Sequence, residues 1–139
     1  MGPTNRRRIL RANAIYLMAA STAGLLMDVL GTFFHRGPES LVVANAPYSS
    51  VGFFEAHGLA LIISIWLLRT EPSRTWHFTG AAVHTLLGTS NLVFWDIFPA
   101  ANFLWGGYLT TSLHWLFEVF QSSVGIGSAV PQRWKGASA

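Results

Sequence analysis

Residues 105–121 read Trp-Gly-Gly-Tyr-Leu-Thr-Thr-Ser-Leu-His-Trp-Leu-Phe-Glu-Val-Phe-Gln. With its apolar flanks this stretch is long enough for a helix that crosses a bilayer, which takes about 20 residues. It carries His114 and Glu118 four residues apart, a spacing that puts both side chains on one helical face. An ionisable side chain at the centre of a bilayer costs at least about 2.5 kcal/mol on insertion scales, so its presence indicates a function.

The rest of the chain repeats this pattern of long apolar segments. Its 139 residues suit one domain, and apolar residues make up 51% of them against 11% charged, roughly half the charged share of a soluble domain. We predict an all-α fold, an integral membrane four-helix bundle in a single transmembrane domain over 12–128. A basic N-terminus (1–11) precedes it and a tail (129–139) follows. The predicted helices are 9–34, 51–68, 76–98 and 103–126.

Charge in the connections predicts the orientation. Eight of the nine Lys and Arg residues lie in 1–11, in the 69–75 loop or in the tail, and only Arg36 lies elsewhere. By the positive-inside rule both termini and the 69–75 loop are cytoplasmic. We expect a bacterial cytoplasmic (inner) membrane and a retained first helix instead of a cleaved signal. The longer connection, 35–50, is expected to be a linker.

Composition also excludes some classes of function. The net charge of +3 is confined to chain ends and one loop, so no continuous basic surface for nucleic acid is predicted. The chain contains no cysteine, which excludes disulfides, thiolate catalysis and cysteine-ligated metal centres.

Small and polar residues recur at heptad-like spacing along the predicted helices. Membrane helices associate through small residues and polar contacts, and alternating three- and four-residue steps form one seam along a helix. We therefore predict that these stripes face the bundle core and that large apolar side chains face lipid. The stripes are Ser21, Gly24, Asp28 and Gly31; His57, Ala60 and Ser64; Gly80, His84, Gly88, Asn91 and Trp95; and Gly107, Thr111, His114, Glu118, Gln121 and Gly125.

The leading hypothesis is a buried acid–base site for a lipid-soluble, isoprenoid- or sterol-like ligand. Glu118 is the expected proton donor, His114 and His84 its partners and Asp28 an orienting group, because burial favours the neutral, proton-donating carboxyl. Glu118 and His84 fall at similar depths, so we expect them to face each other. Such a site suits a membrane-embedded isomerase or cyclase. The expected ligand-binding residues are Asn91, His57, Trp95, Trp105, Trp115 and Tyr108.

Three alternatives remain open at this point. Buried Asp, Glu and His residues are typical of proton or ion paths, so a small conducting subunit is one of them. A small accessory subunit of a larger membrane complex is another. The third is a haem b or metal protein, with His84, His114 and Glu118 as the metal ligands. The sequence names no cofactor. The expected partners are the lipid bilayer, a lipid-soluble small molecule, and a homo-oligomer or larger membrane complex.

Overall fold

The computed structural model describes residues 2–127, and within them every regular element is a helix. The chain runs long helix, short helix, long helix, and then repeats that order. The helices are α1 (Pro3–Phe34), α2 (Glu39–Asn45), α3 (Ser49–Arg69), α4 (Arg74–Val93), α5 (Ile97–Ala100) and α6 (Leu104–Gly127). The four long helices correspond to the four predicted segments. The predicted tail, 129–139, lies outside the described residues.

Two helix boundaries differ from the prediction for reasons of proline chemistry. α1 begins at Pro3 instead of at residue 9, because proline is favoured in the first helical turn, where its missing N–H costs nothing. The basic residues of 1–11 therefore lie on a helix. α4 ends at Val93 instead of at residue 98. Pro99 has no N–H for the carbonyl of Trp95 and its ring would clash with that carbonyl. The chain therefore turns between Val93 and Ile97, where α5 starts.

The predicted linker 35–50 contains a helix of its own. α2 packs against the end of α1, where a Cβ built on Gly31 would lie 2.8 Å from the Cβ of Glu39. Glycine at this position is what allows the two helices to approach so closely. The first residue of α2, Glu39, is thereby held against the buried face of α1.

The long helices pack chiefly as two pairs. α1 lies along α3 and α4 lies along α6, whereas contacts between the two pairs are fewer. Glycines mediate the second pair: a Cβ on Gly88 would lie 3.1 Å from the Nε1 atom of Trp115, and one on Gly125 would lie 3.0 Å from Phe78. A small apolar cluster of Leu10, Ala14, Leu17 and Leu67 closes the first pair near the start of α1.

The predicted inward stripes are confirmed in most positions. All four stripe residues of α1 are buried, as are Ala60, Ser64, Gly80, His84 and Gly88. On α6 the stripe is buried at every position except Glu118, which is partly exposed. Among residues 2–127, ten polar side chains are buried in the bundle. They are Asn13, Ser21, Asp28, Ser50, Ser64, His77, His84, Thr111, His114 and Gln121.

In the described part of the chain, residues 2–127, two helices are long and apolar enough to cross a membrane by length and composition. They are Thr4–Phe34 and Ser49–Arg69, with mean hydropathies of 1.5 and 1.8. α4 and α6 have 20 and 24 residues, but their Thr, Ser, Gly and His content lowers their hydropathy.

Candidate functional site: two buried polar clusters

The first cluster, here called the histidine network, comprises Asn13, His77, His84, His114 and Gln121. Its centre is a pair of imidazoles from α4 and α6, with the two Nδ1 atoms 2.9 Å apart. The Nε2 atom of His84 lies 2.5 Å from the Asn13 Oδ1 atom. Since the amide oxygen only accepts, His84 donates from Nε2. Its Nδ1 must then accept from the Nδ1–H of His114, so the pair has one defined arrangement of protons.

Aromatic rings enclose this histidine pair. Tyr16 stacks on His84 with ring centroids 6.0 Å apart and meets His114 edge-on at 5.9 Å. Phe117 stacks on His84 at 5.4 Å and on Tyr16 at 5.0 Å. The two imidazoles are 0% and 7% exposed. The pair is thus held by packing on its faces and by hydrogen bonds at its edges.

The histidine network continues one step along α4 and α6. His77 donates from Nδ1 to the Gln121 Oε1 atom at 2.5 Å, and both side chains are fully buried. A Cβ placed on Gly80 would lie 2.8 Å from Asn13 Nδ2 and 3.3 Å from Gln121 Cδ. The Asn13 and Gln121 amides therefore flank the same glycine, which brings the His77–Gln121 pair next to the Asn13–His84–His114 chain.

Several atoms of this network have no hydrogen-bond partner among the described residues. They are Asn13 Nδ2, Tyr16 Oη, His77 Nε2 and Gln121 Nε2. Two of them are amide donors, one is a hydroxyl, and the Nε2 of His77 is an acceptor because its Nδ1 donates. Buried polar atoms of this kind are usually satisfied by ordered water, and the set offers both donors and acceptors for it.

Glu118 does not join His84, contrary to the expectation that they face each other. Both ring nitrogens of His84 are taken by His114 and Asn13, and the Glu118 Oε1 atom accepts from the Ser122 hydroxyl on its own helix. At about 100° per residue, Glu118 lies some 40° from His114, on the side away from Phe117 and Gln121.

The second cluster, here called the carboxylate cluster, comprises Asp28, Glu39 and His57 from α1, α2 and α3. The Nδ1 atom of His57 lies 2.9 Å from the Asp28 Oδ2 atom, and Asp28 is 0% exposed. One potential ligand atom of each residue lies within 4.8 Å of the others. Burial, together with the neighbouring Asp28 carboxyl, raises the pKa of Glu39 to about 8.

The expected ligand-binding residues separate into several environments. Trp95 and Tyr108 pack edge-on at 4.9 Å and line an open groove of about 300 Å³ together with Leu92, Thr111 and Ser112. Asn91 donates to the hydroxyls of Thr110 and Thr111 at 3.3 and 3.2 Å. The other three lie elsewhere: His57 in the carboxylate cluster, Trp115 against Gly88, and Trp105 66% exposed.

The structure also brings in residues that lie outside the expected site. Asn13, Tyr16, His77 and Glu39 were not among the expected site residues. Asn13 was harder to detect, because it lies about 80° around the helix from Ser21 and so falls at the edge of the α1 stripe. Glu39 was not detectable, because it lies in a segment taken for a linker.

The residues named for haem or metal do not converge on one centre. Bis-histidine haem requires imidazoles on opposite faces of a porphyrin, whereas His84 and His114 contact each other directly. Glu118 lies outside this pair. Comparisons of the chain with protein-family models, with curated proteins and with solved structures find no match.

Proposed function

We propose that this chain is an integral membrane protein with four spanning helices and cytoplasmic termini, whose core moves protons through the histidine network. The observation that carries the proposal is the inside-out arrangement of side chains. Five hydrogen-bonded polar residues occupy the interior while large apolar side chains cover the outside. Examples of the latter, at least 55% exposed, are Ile15, Phe33, Trp66, Leu86, Val119 and Ile126.

This distribution favours lipid over water as the surroundings of the helices. A core helix of a soluble protein is mostly buried, whereas only 17% of the most apolar window of α3 is buried here. α4 and α6 owe their lower hydropathy to residues such as His84, Gly88 and Thr111, which face inward. Their exposed faces carry residues that suit a hydrocarbon environment.

The chemistry of the network supports proton transfer. In the chain His114–His84, a proton received on one imidazole nitrogen can be released from the other. The Asn13 oxygen holds the Nε2–H of His84 but cannot take up its proton, so release from His84 requires that this hydrogen bond be exchanged for one to a water molecule, which accepts the proton. Water bound at the free Asn13, Gln121 and His77 atoms would extend the path along α4 towards the cytoplasmic end. Intramembrane histidine chains of this kind are typical of proton relays.

The decisive experiment is proton flux in liposomes. The purified full chain is reconstituted with a pH-sensitive dye inside, and a potassium gradient with valinomycin drives protons. We expect dye acidification above that of protein-free vesicles, and loss of it in His84→Gln and His114→Gln. His35→Asn is the matched control, because His35 is an exposed histidine beyond the end of α1. Flux equal to protein-free vesicles, or full flux in both variants, refutes the relay.

Orientation has its own test, for which the absence of native cysteine is an advantage. Single cysteines are placed at the exposed residues Thr75 and Ala100. In intact bacterial cells a membrane-impermeant maleimide should label Ala100→Cys, whereas Thr75→Cys should be labelled only after permeabilisation. The reverse pattern refutes cytoplasmic termini, and equal labelling of both refutes a spanning arrangement.

A second candidate function is acid–base chemistry on a lipid-soluble ligand. The groove at Trp95 and Tyr108 supports this candidate. Thr111, which lines it, is one helical turn from His114. An isoprenoid- or sterol-like molecule in the groove would therefore lie near the histidine pair. The test is mass spectrometry of organic extracts from the purified protein. A ligand lost in Trp95→Leu and kept in Trp66→Leu supports this function, whereas extracts holding only bulk phospholipid contradict it.

A further inference from the structure

The carboxylate cluster lies outside the histidine network, at the end of the bundle where α1 finishes and α3 begins. Asp28, Glu39 and His57 come from three different helices, and one ligand atom of each lies within 4.8 Å of the others. Asp28 is fully buried, while Glu39 and His57 are partly exposed. The cluster is therefore anchored in the interior and open on one side.

Two glycines on α1 make room for this convergence. Gly24 precedes Asp28 by one turn, and a Cβ there would lie 2.4 Å from His57 Cδ2. Gly31 follows Asp28, and a Cβ there would lie 2.8 Å from that of Glu39. Any larger residue at either position would displace a member of the cluster, because such contacts are shorter than van der Waals packing permits.

The cluster has more acceptors than the described residues satisfy. Asp28 Oδ1, Thr32 Oγ1 and Glu39 Oε2 are buried without a hydrogen-bond partner. Between residues 2 and 127 no Lys or Arg forms a salt bridge with either carboxylate, and His57 is the partner of Asp28. The carboxyl groups of Glu39 and Asp28 share a hydrogen bond, and a cation that displaced the proton between them would satisfy their remaining oxygens.

We propose that Asp28, Glu39 and His57 bind a divalent first-row transition-metal ion, with Zn²⁺ as its representative. Two carboxylate oxygens and an imidazole nitrogen are the N/O donors that such ions accept. With metal–ligand bonds of about 2.0–2.2 Å at tetrahedral angles, adjacent ligand atoms lie about 3.3–3.6 Å apart. The ligand atoms of the cluster lie within 4.8 Å of one another, and the 2.9 Å between His57 Nδ1 and Asp28 Oδ2 would lengthen by about 0.5 Å on binding. Water would complete the coordination.

Such an ion would clamp α2 onto α1 and α3. Glu39 is the only one of the three ligands that α2 supplies, and it is the first residue of that seven-residue helix. Helices this short are marginal without tertiary contacts. The ion would supply a contact that fixes α2 over the end of the bundle.

The test is calorimetric titration of the full chain, in detergent micelles after treatment with chelator, with Zn²⁺ alone. We expect one ion per chain with micromolar or tighter affinity, and much weaker binding of Mg²⁺. Asp28→Asn and Glu39→Gln should each weaken Zn²⁺ binding by more than about 100-fold, because loss of a direct ligand costs more than the 10- to 100-fold loss that follows removal of an outer-shell partner. Glu55→Gln is the matched control, because Glu55 is an exposed carboxylate on α3 two residues before His57, and it should bind like wild type.

A thermal readout keeps the proposal testable if Asp28→Asn does not fold. Zn²⁺ binding to the folded state must raise Tm, so it should raise the Tm of wild type and of Glu55→Gln but not that of Glu39→Gln. Glu39 is on the half-exposed α2, so its substitution spares the bundle core. Absence of Zn²⁺ binding, or binding and Tm shifts that persist in Glu39→Gln, overturns the assignment.

Discussion

Replacement of Gly24 by alanine tests whether the contact between α1 and α3 depends on space at this one position. The new Cβ would lie 2.4–2.6 Å from three atoms of the His57 ring. Ordinary carbon contacts are about 3.5–4.0 Å, so the ring must retreat by about 1 Å or more. A retreat of that size stretches the 2.9 Å hydrogen bond from His57 to Asp28 past its useful range.

The size of the effect follows from two opposed contributions. Loss of a hydrogen bond to a charged group costs about 1.5–3 kcal/mol. Alanine is the better helix former by about 0.5–1 kcal/mol. Gly24→Ala should therefore lower the free energy of unfolding by about 1–2 kcal/mol. Gly52→Ala is the control, because a Cβ there meets nothing within 4 Å, and it should be neutral or slightly stabilising.

The assay is reversible unfolding in mixed micelles with increasing dodecyl sulfate, followed by tryptophan fluorescence. A double-mutant cycle isolates the steric cause. In the His57→Ala background the ring is gone, so Gly24→Ala should no longer destabilise and should behave like Gly52→Ala. A Gly24→Ala protein as stable as Gly52→Ala, or the same loss with and without His57, would refute the reasoning.

Three further predictions address the histidine network and the surface. Gly80→Ala places a Cβ 2.8 Å from Asn13 Nδ2, so it should lower proton flux in liposomes although no histidine is changed; wild-type flux would contradict this. Glu118→Gln should leave proton flux near wild type because Glu118 is outside the histidine network. Abolished flux would show that Glu118 takes part in proton transfer. Arg7→Ala removes an exposed ion pair with Glu71, and its unfolding free energy should change by less than about 1 kcal/mol; a larger loss in the same micelle assay would show that the pair is not a simple surface contact.

Helical periodicity in the sequence predicts the elements and their buried faces, but not the contacts between helices. The all-helical fold and the inward faces follow from periodicity, because in α1 the positions of Ser21, Gly24, Asp28 and Gly31 repeat at helical spacing and all are buried. For His84 and His114, the sequence could predict only that the two residues lie near each other. Their direct contact depends on the relative shift and rotation of α4 and α6, which no spacing within one helix encodes.

Glu118 shows where the periodic reading fails. A stripe of alternating three- and four-residue steps includes residue 118, yet Phe117 is the residue that packs against His84, while Glu118 bonds Ser122 on its own helix. The rotation is set by large rings: Phe117 stacks on both Tyr16 and His84. Stacking of this kind has no signature in the sequence, since aromatic residues are abundant throughout the chain.

Helix α1 contributes one residue to each polar cluster, and the two residues are far apart along its axis. Asn13 and Asp28 lie fifteen residues apart, about 22 Å along the axis. Between them Ser21 bonds the carbonyl of Leu17 on its own helix, so it makes no bridge to another one. A proton path that continues outward from His114 would therefore follow α4 and α6, where Asn91 bonds Thr111 one turn away. In the proposed relay, protons would move along the α4–α6 pair with Asn13 of α1 beside it, whereas the carboxylate cluster of α1, α2 and α3 is a separate site.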